Sequence, residues 1–100
     1  MNKNLKIKTK EEFEKILIER DGDSKRFLEF KNCTFYFDIE IAHALVEINC
    51  TDCIFENSLK INSTIHGNSL FKNCEFKEKV DFSDCLFSKK ARFHNSNFTN

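Results

Sequence analysis

From Phe27 to the end of the chain, apolar residues return at steps of four to six, with mostly polar residues between them. Over the last third the beat is carried by one residue type, at Phe71, Phe76, Phe82, Phe87, Phe93 and Phe98. Sliding the chain against itself by roughly twenty residues, the shift that reveals repeat architectures, aligns four columns. Phe30, Cys50, Phe71 and Phe93 form the first, and Phe35, Phe55, Phe76 and Phe98 the second. Ile41, Ile61 and Phe82 form the third, and Leu45, Ile65 and Phe87 the fourth. Successive turns in the first column are 20, 21 and 22 residues long, and all the variation falls on either side of the fourth column.

The residue two places before each column position is consistent as well. It is Cys33, Cys53, Cys74 and Ser96 for the second column, and Leu28, Ile48, Ser69 and Ala91 for the first. The third has Ile39, Leu59 and Val80, and the fourth His43, Ser63 and Cys85, where His43 is the misfit. On an extended segment, residues two apart point to the same side. The pattern therefore predicts that each side of a coil sends a large and a smaller group inward. Lys72, Lys77, Glu78, Asp84 and Lys89 fall on the outward positions. Helical spacings of three and four are missing after Ser24.

A large apolar centre with a small residue two before it resembles the repeat of the pentapeptide-repeat proteins. The resemblance covers Phe27–Asn100, is tight after Ser69 and degenerate between Ile39 and Asn68. It implies an all-β solenoid, a right-handed quadrilateral parallel β-helix of about 3.5 coils, with bulged corners where five stretches to six. A left-handed hexapeptide helix would want a strict period of six and aliphatic centres. Coils of such a fold rise about 4.8 Å each, close to the separation at which aromatic rings stack. Phe over Phe then fills the shaft, and the small group fills the corner beside it.

The organisation expected is a cap over residues 1–26 and a β-helix over residues 27–100. Thr9 and Glu12 have the form of a capping box. Phe13, Ile16 and Leu17 follow at helical spacing, and Asp21, Gly22 and Asp23 read as a stop. These predict an amphipathic helix over about residues 10–20, laid on the first coil because a solenoid needs its apolar end covered. Leu5 and Ile7 alternate with Lys and suggest a short strand. At the other end Phe93 and Phe98 belong to an unfinished coil. Either a second copy pairs there or the chain is the front of a longer protein.

Composition narrows the chemistry. Twelve Phe against one Tyr is what a dry interior selects. Sixteen basic residues balance sixteen acidic ones, so no general nucleic-acid footprint stands out and no nucleic-acid partner is expected. There is no Pro and only two Gly, which argues against glycine-rich phosphate loops. No apolar run reaches the length of a membrane span, and Met1–Lys10 lacks a signal-peptide core, so a cytoplasmic protein is expected.

Cys50 and Cys53 form a CxxC, but no second pair of ligands accompanies them. All five cysteines occupy column or small-filler positions, so buried reduced thiols are expected. His43, His66 and His94 are scattered without a partnered nucleophile and carboxylate. Lys89, Lys90 and Arg92 read as a solvated corner. The expectation is a non-enzymatic scaffold or protein-interaction module without cofactor or metal. It would bind a protein partner, or pair as a homodimer, through Phe93 and Phe98. The alternative implied by the family is a DNA mimic, since some members protect DNA gyrase as an acidic rod. Zero net charge and a rod of roughly 17 Å disfavour it.

Overall fold

The computed structural model describes residues 2–21 and 27–98, with the side chains of residues 17–21 left aside. The stop at Gly22 and Asp23, the side chain of Leu17, the boundary at residue 26 and the terminal Asn100 lie outside what is described.

Two short strands, β1 (Asn2–Lys3) and β2 (Lys6–Ile7), precede one helix, α1 (Lys10–Asp21). The first coil carries β3 (Phe27–Lys31), β4 (Thr34–Phe35) and β5 (Ile39–Ile41). The second carries β6 (Glu47–Thr51), β7 (Ile54–Phe55), β8 (Leu59–Ile61) and β9 (Thr64–Ile65). The third carries β10 (Ser69–Lys72), β11 (Glu75–Phe76), β12 (Val80–Asp81) and β13 (Leu86–Phe87). The last comprises β14 (Ala91–His94) and β15 (Asn97–Phe98). All pairings are parallel and link equivalent strands of successive coils, giving four sheets and a β-solenoid of about three turns.

The register follows the columns. Phe30 pairs with Cys50, Cys50 with Phe71 and Phe71 with Phe93. Phe35, Phe55, Phe76 and Phe98 succeed one another in the second sheet. Ile41 faces Ile61, and Leu45, Ile65 and Phe87 line up on the fourth side. The second-column rings stack with centroids 4.8, 4.8 and 4.7 Å apart and planes within 16°. Phe71 and Phe93 stack at 5.1 Å and 3°. The chain's own rise between parallel strands sets this spacing, so backbone ladder and ring stack reinforce each other.

The solenoid begins before Phe27. Asn2 pairs with Phe30 and Ile7 with Phe35, so β1 and β2 occupy the first two sides of a partial coil and α1 follows where the other two sides would run. Glu12 N–H donates to Thr9 Oγ1 at 3.2 Å, closing the helix start, and Glu11 and Glu12 place negative charge at its positive end. Phe13 is buried and packs on Phe30, Phe35 and Phe37 at 5.7–5.9 Å, extending the ring stack into the helix.

The turn from the first side to the second is made by Asn4, Asn32, Asp52, Asn73 and Asn95, all at φ between 50° and 57°. This left-handed region is costly for most side chains and tolerated by Asn and Asp. Each stands directly before a small or aliphatic filler. Their side chains also join along the axis: Asn32 Nδ2 donates to Asn4 Oδ1, Asn73 Nδ2 to Asp52 Oδ1 and Asn95 Nδ2 to Asn73 Oδ1.

The fillers complete the same corner. Cys53 Sγ, Cys74 Sγ and Ser96 Oγ donate to the first-column carbonyls of Phe30, Cys50 and Phe71 in the coil before, at 3.5, 3.3 and 3.1 Å. Cys33 reaches the equivalent carbonyl of Asn2 at 3.7 Å. A small side chain with a weak donor thus fills space and meets a carbonyl. All five cysteines are free thiols. Contact with the Cys53 thiol, and then burial, push Cys33 and Cys50 up, and burial pushes up Cys85. Cys74 is drawn down by its hydrogen bond with Cys53.

His43 differs from the expectation of an inward slot, since it is exposed between Ala42 and Ala44. From Ile41 to Leu45 there are four steps instead of five, so residue 43 is the apex of the corner and has no strand to aim it inward. The extra residue of the next turn is taken up at Gly67, whose N–H donates to Val46 O. A Cβ there would collide with the same oxygen, which explains the glycine. The hydroxyls of Ser63 and Ser69, flanking this corner in sequence, are buried without a hydrogen-bond partner.

Three outcomes follow from this packing. Phe76→Ala removes a ring held between Phe55 and Phe98 and should cost about 3–5 kcal/mol in urea unfolding. Ser69→Ala, which places in the third coil the residue Ala91 supplies in the next, should gain about 1 kcal/mol by the same assay. In the native protein, Ellman's reagent should modify Cys33, Cys50, Cys53 and Cys74 only as fast as the chain opens. Guanidinium should release all five thiols at once.

Candidate docking site at the last coil

The residues that carry chemistry are spread around the solenoid. Cys50 and Cys53 are fully buried in the shaft, while His43, His66 and His94 are exposed on its outside. Among the described residues no group of three or more His, Cys, Asp or Glu could hold a metal ion. Glu56 and Lys77 form an ion pair of 3.1 Å on one face, and the carboxylate holds the Lys77 amine above its usual range. On another face Ser83 donates through its hydroxyl and N–H to Asp81, holding that carboxyl low. Pairs this exposed contribute little to stability.

One end of the shaft stands apart. β14 and β15 are the outer strands of their sheets. Phe71 and Phe76 are buried beneath a next ring, whereas Phe93 is 37 % and Phe98 49 % exposed. Each of the latter two stacks on an inner ring and has its other face uncovered by a further coil among the described residues. Phe82 and Phe87 are half-buried, and Leu86 is 63 % exposed on the adjoining side. The result is an apolar disc of rings.

The backbone at this end points onward. The N–H groups of Asn32, Asp52 and Asn73 each donate to a carbonyl of the following coil, as do those of Ile48 and Ser69. Asn95 and Ala91 hold the same positions in the last described coil. Exposed strand edges of this kind template pairing with another chain.

The rim is basic. From Phe87 to Phe98 the chain carries Lys89, Lys90 and Arg92 and no Asp or Glu. Lys90 and Arg92 line a shallow surface recess with Asn68, Ser69 and Leu70. The expected docking residues Phe93 and Phe98 are thus brought together at a ring centroid distance of 5.7 Å. The Asn95 corner and the basic rim were not singled out as parts of this end. The recurrence of Asn or Asp before each second-column filler was the available signal.

No helix among the described residues is long and apolar enough to cross a membrane. No curated protein matches the chain, and no solved structure does. Residues 61–100 match a family model described as pentapeptide repeats, nine copies. That stretch holds the tightest part of the repeat and the exposed end. Its coils share their ladders with those before it, and residues 61–100 of the chain are pentapeptide repeats.

Proposed function

We propose that the protein is a rigid, non-catalytic interaction module that docks another protein surface on the end of its last described coil, or continues there into a further coil. The observation that carries this reading is the pair Phe93 and Phe98, exposed where their equivalents one coil earlier are buried. Proteins built of these repeats are often interaction scaffolds. A shaft locked by ladders and ring stacks offers a fixed surface, so docking costs little ordering entropy. Five free thiols suit a reducing compartment, and the cytoplasm is the proposed location.

A second copy brings an identical disc and is the simplest surface to test. At about 0.5 M salt the screening length falls to about 4 Å, so the basic rims cease to oppose contact between discs. Sedimentation equilibrium over roughly 10–500 µM under these conditions should show a dimer, with Phe98→Lys remaining a monomer. Monomer throughout for the unmodified chain, or association indifferent to Phe98→Lys, would contradict docking through this end.

A further inference from the structure

We propose that Cys53 and Cys74 form a redox-modification site, a pair of thiols on adjacent coils that hydrogen peroxide converts to a disulfide. The site lies inside the shaft and is independent of any docking surface.

Register brings the pair together. Ile54 aligns with Thr34 on one side and Glu75 on the other, so Cys33, Cys53 and Cys74, each one residue earlier, form a column of thiols. Main-chain bonds hold that level, Ile54 N–H donating to Cys33 O and Glu75 N–H to Cys53 O, both at 2.9 Å. Parallel strands stand about 4.8 Å apart, within the roughly 4.4–6.8 Å between Cα atoms that a disulfide spans. Each thiol also leans toward the coil before it. Cys74 Sγ lies 3.3 Å from Cys50 O in the second coil and 3.5 Å from Lys72 O in its own, and so reaches toward the level of Cys53.

Three thiols compete for Cys53, since Cys33, Cys50 and Cys74 all contact it. Access separates them. A surface recess at the corner is lined by Asp52, Cys53, Asn73 and Cys74 among others, and by neither Cys33 nor Cys50. Cys74 keeps 2 % exposure, whereas Cys33, Cys50 and Cys53 have none. Acidity separates them in the same sense. The hydrogen bond with Cys53 draws Cys74 down, while contact with Cys53 pushes Cys33 and Cys50 up. The thiolate is the attacking form, so Cys74 reacts first. Beyond it the column continues as Ser96, whose Oγ accepts from Cys74 N–H at 3.2 Å and offers no sulfur.

The chemistry balances with peroxide as the oxidant. Cys74 sulfur attacks one peroxide oxygen, the O–O bond breaks, and a sulfenic acid forms. The departing hydroxide takes the thiol proton and leaves as water. Cys53 sulfur then attacks the sulfenic sulfur, forming the S–S bond and breaking the S–O bond. That second hydroxide leaves as water with the Cys53 proton. Two thiols and one peroxide thus give one disulfide and two waters, each sulfur giving up one electron. Peroxide is far smaller than Ellman's reagent, so it reaches Cys74 while the shaft stays folded. In a reducing compartment such a bond is transient, and thiol reductants restore the pair. While it lasts, it staples the second coil to the third and constrains the unfolded chain.

The test uses the full chain carrying Cys85→Ser. This removes the partly exposed thiol on the fourth side and places there the residue that Ser63 supplies one coil earlier. The folded protein is treated with hydrogen peroxide, quenched, alkylated in guanidinium, digested and mapped by mass. The expected result is loss of two thiols, one Cys53–Cys74 cross-link, and a raised urea midpoint that dithiothreitol returns to its starting value. Cys74→Ser in the same background repeats the residue at Ser96 and is checked for fold by circular dichroism. It should form no cross-link and keep Cys33, Cys50 and Cys53 reduced. A bridge from Cys53 to Cys33 or Cys50 in the parent chain would overturn the proposal. So would thiols that stay reduced, or stop at sulfenic or sulfinic acid, until the chain is unfolded. Those readings come from the parent chain alone and do not depend on the variant's folding.

Discussion

The structure depends on a coincidence of lengths. Parallel strands joined by main-chain hydrogen bonds repeat every 4.7–4.9 Å, and flat aromatic rings stack at a similar distance. In the second column Phe35, Phe55, Phe76 and Phe98 meet that condition at every step. Each ring is therefore held by the same repeat that holds its backbone, and a slip of one residue would turn the ring outward and break the ladder together. Phe suits this place better than Tyr, because the shaft offers its buried rings little that a hydroxyl could bond.

The corner between the first and second sides is the second constraint. The chain must turn sharply while its N–H groups stay aimed along the axis, and Asn or Asp at positive φ does this in every coil. A small donor then has to follow, because the carbonyl of the coil before lies within 3.7 Å of it. Cys33, Cys53 and Cys74 are explained by that need for compactness and a weak donor, with no role in metal binding or catalysis required. Where the turn lengthens, on the sides next to the fourth column, the geometry is looser. Gly67 and the unpaired hydroxyls of Ser63 and Ser69 cluster in sequence there.

The register of the coil was legible because ring spacing and filler identity report the same periodicity from two positions. Ile7 and Asn2 were harder to place, since α1 interrupts the period and separates Ile7 from Phe35 by 28 residues. The signal was nonetheless present: Asn4, Leu5 and Ile7 repeat the spacing of Asn32, Cys33 and Phe35. His43 was misassigned because counting back two residues assumes an extended run, and residues 42–44 carry no strand and are all exposed. The exposed end was legible as an unfinished coil, whereas the chemistry of its rim emerges only when Lys90, Arg92 and the two rings are placed together in space. The chemistry of that rim is written in side chains facing outward, and outward positions obey no packing rule that a sequence pattern could reveal.

A rigid stack with one face uncovered among the described residues accounts for both the stability and the proposed role. The most direct measurement is through-space proton coupling between the rings of the selectively labelled protein in solution. The account predicts an unbroken series of nuclear Overhauser contacts from Phe35 to Phe55, Phe76 and Phe98, with a parallel contact from Phe71 to Phe93. Rings that contact only their neighbours in sequence, with no contact between residues twenty to twenty-two apart, would contradict it.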